Sequence, residues 1–405
     1  MRLHRNLILT VIDALNEIFN DNLYADKVVE KSLKRDKRWG ARDRKFVAET
    51  IYDIVRWKRL YNEIAGTKEH YTRPNLWKIF TVWAVLHEIK LPDWHQFEGT
   101  PERRIRGMFN DLQKDRRFRE SIPDWMDELG EKELGDVWEE ELKALNIKAD
   151  VILRVNTLKT SKFELQKLLE QEEIETEFLP DYDSALKLVE RKNVFITEAF
   201  QNGLFEVQDA SSQLVAEFMQ VEPGMRVIDT CAGAGGKTLH IATLMKNKGQ
   251  IIAMDLYDGK LNELKKRARR NEIFNIETRV IDSSKVIKKL KETADRVLID
   301  APCSGLGVLR RNPDAKWKLQ PEFIENIKKT QAEILDQYAS MVKKGGKLVY
   351  ATCSILPSEN QNQVQQFLNN HKDFSFVKEN IVSPSKSGYD GFYMALLERK
   401  KTEEL

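Results

Sequence analysis

Residues 226–245 read RVIDTCAGAGGKTLHIATLM, and this stretch decides the fold. A short apolar strand closes on Asp229, glycines follow at 233, 235 and 236, and Lys237 opens an apolar run with helical character. Glycine lets the backbone turn tightly and come close to a ligand, while the first N–H groups of the helix attract an anion or a polar tail. The loop is not an ATP-binding P-loop. The pattern GxxxxGK[ST] needs glycine at 231, where Cys231 stands, and Asp229 sits at the strand end. The candidate cofactor contacts here are Asp229, Cys231, Ala232, Gly233, Ala234, Gly235, Gly236 and Lys237.

Downstream, strand candidates at 226–229, 250–255, 276–281, 296–300 and 347–351 alternate with helical stretches. That alternation predicts a mostly parallel sheet with crossover helices. The second strand, QIIAMD, ends in Asp255, whose carboxylate can accept hydrogen bonds from a ribose diol. The third ends in Asp282, placed to border an adenine. Together the three acids favour a nucleoside cofactor. The fourth strand runs into DAPCSGLGVLRRNPDAKWK, from Asp300, and the fifth into YATCSILPSEN, residues 350–360. Open α/β sheets place their sites at such carboxyl ends, so Cys303 and Cys353 are candidates for catalysis. Cys231 is read as a small residue packed beside the turn, outside the catalytic set.

Upstream the pattern changes. Leu7, Val11, Leu15 and Ile18 share one helical face, Phe46, Ile51, Ile54 and Val55 begin another, and the many tryptophans there read as core anchors. Near 150 the alternation of Val151, Leu153 and Val155, a polar helix candidate at 161–170 and a new apolar run at Ile174 predict a small α+β module. The expected domains are therefore 1–145, all-helical; 146–205, small and α+β; and 206–405, α/β.

The 405 residues are 41% apolar and 32% charged, enough apolar surface for a globular chain and too much for a disordered one. No window reaches the ~18 uninterrupted apolar residues of a spanning helix, and Asp13 and Glu17 break the reading of a signal peptide, so a cytoplasmic protein is expected. Three scattered cysteines and six scattered histidines give no disulfide framework and no zinc spacing. Net charge is only +2, but its distribution is uneven: residues 31–45 carry eight bases and two acids, and 124–141 carry nine acids and one base. Arg310, Arg311, Lys316 and Lys318 are expected to clamp phosphates, and Lys265, Lys266, Arg267, Arg269 and Arg270 form a second basic run, open to phosphate contact or to solvation alone.

The segments DTCAGAGGKT, MDLYDGKLNELKKRARRN, DAPCSGLGVLRRNPD, YATCSILPSEN, GLFEVQDASSQL and GYDGFYMALLERK resemble the RsmB/Nop2/NSUN family of S-adenosylmethionine-dependent RNA cytosine-5 methyltransferases. The resemblance covers residues 205–398, and VILRVNTLK resembles the start of the small module that precedes the catalytic domain in this family. It implies a Rossmann-like class I methyltransferase domain, a small α+β RNA-binding module and a helical domain of NusB-like type. One departure is Ala234, where many relatives carry proline, which affects loop rigidity more than chemistry.

The resemblance also implies residue roles. Cytosine C5 is a poor nucleophile, so a thiolate first adds at C6, the ring then takes the methyl group, and loss of the C5 proton and the thiol restores aromaticity. By similarity Cys353 is the nucleophile and Cys303 assists release. Asp300 bonds the cytosine N3/N4 edge, and Lys237 positions or polarises the base. S-adenosylmethionine is held by Asp229, the glycine loop, Asp255, Asp282 and Asp300, with Asp255 on the ribose. No zinc-deaminase arrangement and no Asn/Asp-Pro-Pro-aromatic motif of an amino-group methyltransferase is present, and the chemistry needs no metal. Ribosomal RNA is the expected substrate, with transfer RNA the alternative, no membrane partner and a monomeric enzyme. Two other readings stay open at this point: a noncatalytic RNA-binding assembly factor, and a DNA methyltransferase that would attack from Cys303.

Overall fold

The computed structural model describes residues 3–401; the outermost ends of the first and last expected domains lie outside the described residues. The chain forms two units, one of residues up to Ile147 together with Leu309–Pro321, the other of Lys148–Val308 and the residues from Glu322 onward. The division thus falls near the first expected boundary. It differs from the sequence expectation in two ways: the small sheet and the large sheet share one unit, and a thirteen-residue segment from the middle of the α/β region belongs with the helices.

The first unit is helical throughout. Arg5–Phe19, Ala41–Arg56 and Arg73–Leu86 turn Leu7, Val11, Leu15, Val47, Ile51, Ile54 and Phe80 into one core. Trp39, Trp77 and Trp83 are buried in it and Trp57 and Trp94 pack partly against it, so these rings anchor the core. Trp138 is buried lower in the chain, where its indole N–H donates to Asp127 Oδ1 at 2.8 Å. Gly130 lies flush against that indole, and a Cβ there would stand 2.2 Å from the ring. Much of the basic run at 31–45 is paired locally: Lys31 with Glu17, Lys34 with Glu30, Arg35 with Asp13 and Arg38 with Asp36.

The segment Leu309–Pro321 corrects the expected phosphate clamp. Lys316 is 1% exposed and donates to the carbonyls of Arg56 at 2.9 Å and Glu120 at 3.3 Å and to Asn146 Oδ1 at 3.0 Å. Lys318 donates to the carbonyls of Asn22 and Leu23, Trp317 Nε1 donates to the carbonyl of Val55, and Arg310 is buried. Burial, and secondarily the Arg56 charge, pulls the Lys316 ammonium well below its ordinary pKa. These cations satisfy carbonyls inside the helical unit, because long aliphatic stems let a lysine cross apolar packing to reach them.

In the second unit, β1 (Ile152–Val155), β2 (Thr176–Phe178), β3 (Ala185–Leu188) and β4 (Phe205–Val207) form an antiparallel sheet of order β2-β3-β1-β4. The helix Lys162–Gln171 packs on it and starts with a reciprocal capping box between Ser161 and Glu164. The order and the βαββαβ sequence of elements are those of a ferredoxin-like module.

The larger sheet contains β5 (Arg226–Asp229), β6 (Gln250–Asp255), β7 (Ile276–Val280), β8 (Ala294–Asp300), β9 (Val342–Thr352), β10 (Phe374–Val382) and β11 (Phe392–Arg399). Its order is β10-β11-β9-β8-β5-β6-β7, parallel from β7 to β9 and antiparallel where β11 and β10 are added. The central strands are apolar on both faces because both are covered. Val227, Ile251 and Leu298 pack with helices Gly236–Leu244 and Asp258–Arg270, while their neighbours Ile228, Ile252 and Ile299 pack with Pro321–Ala339 and Gln361–Asn370. The order of connection reverses between β5 and β8, and there the carboxyl ends open the crevice that α/β sheets use for ligands. Among the described residues no helix is long and apolar enough to cross a membrane.

Candidate active site

At the tip of β5 the chain turns through Gly233, at φ 53°, and Gly235, at φ 89°, into the helix Gly236–Leu244. Gly235 has no alternative, since a Cβ would lie 2.6 Å from Leu264 Cγ in a backbone conformation that L side chains rarely adopt. Asp255, at the tip of β6, accepts the Gly233 N–H at Oδ2 and the Tyr257 N–H at Oδ1, each at 2.9 Å. A carboxylate offers about four acceptor positions, so both oxygens retain one for a diol. Asp229 Oδ2 accepts from Thr238 Oγ1 at 2.7 Å, whereas Oδ1 is buried with no protein partner. Burial, with the nearby Asp300 charge adding to it, pushes the Asp229 carboxyl up to about 7. Ala232 is buried, Ala234 gives its carbonyl to Arg267 Nη1 at 2.8 Å, and Asp282 stands exposed two residues beyond β7. Cys231 packs against the sheet core, and burial pushes its thiol up to about 12.

This donor set tests the nucleoside reading. Carboxylates on three neighbouring strand ends around a glycine turn would repel a polyphosphate, and an orphaned buried carboxylate oxygen suits a ligand that carries positive charge. S-adenosylmethionine has a ribose diol, a sulfonium and an ammonium, and the residues present fit it. Leu256 and Tyr257, both more than half exposed beside Asp255, add an apolar surface that the reading of the sequence passed over.

The second half of the site rises from β8 and β9. Lys237 Nζ reaches Asp300 Oδ2 at 2.7 Å and lies 5.0 Å from the centre of the Phe392 ring. Burial by itself would lower the Lys237 ammonium, but the charge and hydrogen bond of Asp300, with smaller help from Cys353, carry it above its ordinary value. Cys303 Sγ and Cys353 Sγ are 3.3 Å apart, both half-buried. The hydrogen bond with Cys353, followed by burial, raises the Cys303 thiol well above its usual range. The loops are close because Gly307 N–H donates to the Cys353 carbonyl at 2.9 Å; a Cβ on Gly307 would stand 2.3 Å from the Gly391 carbonyl.

The structure therefore brings Asp229, the glycine loop and Asp255 to one end of the sheet beside Lys237, Asp300, Cys303 and Cys353. Asp282 stands apart, without a bond to the loop. Of the second basic run, Arg267 and Arg270 are paired with buried Glu206 on β4, while Lys265, Lys266 and Arg269 face outward. Among the described residues no three metal-ligating side chains come together. Sequence reading also passed over Glu359, Ser304, Ser354 and Gln331, which form a buried polar cluster beneath the cysteines. Their signal was Glu359, the single charged residue of the quoted YATCSILPSEN stretch.

The family model described as 16S rRNA methyltransferase RsmB/F matches residues 216–400, and the RsmF/B-like ferredoxin-like domain model matches 122–195. The chain is 31% identical to "Probable ribosomal RNA small subunit methyltransferase B" of Synechocystis sp., across 91% of this chain and 90% of that one. It is 37% identical to "Ribosomal RNA small subunit methyltransferase B" of Yersinia enterocolitica over 65% of this chain and 62% of that one. Among solved structures, a methyltransferase homologue from Pyrococcus horikoshii aligns with TM-score 0.63 and 27% identity, over 70% of this chain and 98% of that one. With near full-length similarity joined to this geometry, the chain belongs to the RsmB/F family, RNA methyltransferases that draw their methyl group from S-adenosylmethionine.

Proposed function

We propose that the protein methylates C5 of a cytosine in ribosomal RNA, with Cys353 adding to C6 and Cys303 serving release. The observation that carries this reading is the pair of sulfurs 3.3 Å apart beside the Lys237–Asp300 ion pair. When bound, S-adenosylmethionine supplies an electrophilic methyl group. Asp229, residues 231–236, Asp255 and Asp282 would hold it, with Asp255 on the ribose. Asp300 would bond the cytosine N3/N4 edge, Lys237, held on Asp300 at 2.7 Å, would position or polarise the base, and Cys353 would add as its thiolate. That thiolate attacks C6 and makes C5 electron-rich. After methyl transfer the C5 proton is lost to solvent, and the C5–H electron pair restores the C5–C6 double bond as the Cys353–C6 bond breaks. Cys303, whose thiol keeps its proton at neutral pH, can hand it to the departing sulfur across the short gap between them.

The choice of ribosomal over transfer RNA is supported by the names of the Synechocystis and Yersinia relatives. The cytosine must be unpaired or flipped to reach the crevice. Residues 1–145 and 146–205 are read as RNA-holding domains attached to a catalytic domain at 206–405, in a cytoplasmic, metal-independent monomer. Methyl transfer from labelled cofactor to ribosomal subunits, free ribosomal RNA and transfer RNA, followed by nucleoside analysis, tests the function. The expected product is 5-methylcytosine in ribosomal RNA, absent with Cys353→Ala. Product only in transfer RNA would overturn the substrate, and product surviving Cys353→Ala would overturn the nucleophile. Chelator resistance and light scattering check the metal-independent monomer.

A further inference from the structure

Glu359 is fully buried, 0% exposed, at the end of the turn Pro357–Glu359 that follows Cys353. Its Oε2 accepts the Ser304 N–H at 2.8 Å and Gln331 Nε2 at 2.9 Å, and its Oε1 accepts the hydroxyls of Ser354, at 2.6 Å, and Ser304. Ser304 follows Cys303 and Ser354 follows Cys353, so one carboxylate fastens the residue after each cysteine. Gln331, from the helix Pro321–Ala339, also donates to the Pro302 carbonyl at 3.0 Å and so braces the residue before Cys303. A carboxylate only accepts and has about four positions for donors, and here all are used by protein groups, so Glu359 is free for neither cofactor nor base. A buried ion that serves stability alone is poorly chosen, since apolar packing of similar volume does as well.

We propose that Glu359 is a positioning residue for methyl transfer, a buried anion that fixes the spacing of the two cysteine sulfurs and thereby controls release of the methylated base. The proposal rests on the roles assigned above to Cys353 and Cys303. The Glu359 charge acts on Cys303 in the same direction as the Cys353 hydrogen bond and burial, keeping its proton in place. The titratable groups facing Cys303 are Cys353, Glu359 and Tyr350, and the Tyr350 hydroxyl is itself tied to the Glu359 carbonyl at 2.7 Å.

The test compares full-length wild type, Glu359→Gln and Glu359→Asp in two assays. One is methyl transfer to ribosomal RNA; the other is the pH dependence of iodoacetamide alkylation of Cys303, followed by mass spectrometry on its own tryptic peptide. Glu359→Gln is expected to lose roughly 100-fold in kcat, with cofactor affinity and RNA KM within about twofold of wild type. Its Cys303 is expected to alkylate about tenfold faster at pH 8, through a lower midpoint and not merely a higher plateau. Glu359→Asp restores part of both. Wild-type kcat with an unmoved midpoint overturns the proposal, as does a kcat loss that only tracks the melting temperature. If the wild type makes no 5-methylcytosine, the functional reading fails, yet the Cys303 midpoint still decides whether Glu359 governs the pair. Should Glu359→Gln fail to fold, Ser354→Ala removes one donor and keeps the charge. It is expected to lower kcat several-fold with the midpoint unmoved, and wild-type kcat in that variant overturns the proposal.

Discussion

Cys303 and Cys353 carry the same functional group and differ in what surrounds it. Cys303 is pushed upward by its hydrogen bond with Cys353 and by burial, so it is fitted to hold a proton. Cys353→Ala should therefore abolish product. Cys303→Ala should let the adduct form and slow its release by ~10²–10⁴-fold, the usual contribution of a positioned acid. Enzyme–RNA complexes that resist denaturing electrophoresis would accumulate only in the second variant; equal accumulation in both would refute the assignment. Asp229 gives a stability prediction. Its carboxyl titrates at about 7 in the folded chain against an ordinary 3.8, so the folded state binds the extra proton between those values. Stability then falls as pH rises from about 4 to 7 and is flat above. Without cofactor, Asp229→Asn should be more stable than wild type at pH 8 by ~2–4 kcal/mol, at ~1.4 kcal/mol per unit, with the gap closing toward pH 4. Equal differences at both pH values in urea titrations would show that this carboxyl does not carry the effect.

Among the elements, Glu206 on β4 joins the small sheet to the helix Asp258–Arg270. It bonds Arg267 Nη2 at 2.9 Å, Asn271 Nδ2 at 2.6 Å and Arg270, and Arg267 in turn holds the Ala234 carbonyl in the glycine loop. Burial alone would raise Glu206, but the two guanidinium groups hold it below its ordinary value. Removing one partner of a buried pair strands the others, so Glu206→Gln should cost about 3 kcal/mol in urea unfolding at neutral pH. A depressed carboxyl loses its contribution as pH falls through the folded pKa, so the difference between wild type and variant should narrow in acid. This network explains what the sequence could and could not convey. Strands 226–229 and 250–255 were legible to the residue because each is an apolar run closed by an aspartate. β10 was not, since Phe376, Val377 and Ile381 are exposed on an edge strand whose register breaks between Phe376 and Lys378, so no period of two marks it. The cysteines, Lys237 and Asp300 were legible as motifs. The arginines at 267 and 270 were not legible as structural, because their partner lies more than 60 residues away on a different sheet.

At the scale of the whole molecule the same ambiguity of cations decides how RNA affinity should respond to salt. Lys316 has three buried acceptors and no phosphate to meet. Lys316→Met takes the donor from the Arg56 carbonyl and Asn146 Oδ1, while the Glu120 carbonyl keeps Asn146 Nδ2 at 2.9 Å, and should destabilise the protein by ~1–3 kcal/mol, the cost of an unsatisfied buried polar group. The dependence of RNA affinity on salt should be unmoved, whereas loss of a true phosphate contact lowers the slope by ~0.7–0.9. A changed slope with unchanged stability would restore the phosphate clamp. The placement of Leu309–Pro321 also sets a timetable. During synthesis the acceptors at Arg56, Glu120 and Asn146 emerge early, and Lys316 follows Asn146 by 170 residues. At ~5–20 residues per second, the helical unit waits roughly 10–30 s for its last buried side chain. In that interval the nascent chain has already made the strand leading to Cys303. The first unit to be translated is thus completed only after most of the second has been made, and arrested chains ending before residue 309 should expose residues 40–147 to protease that the completed protein resists.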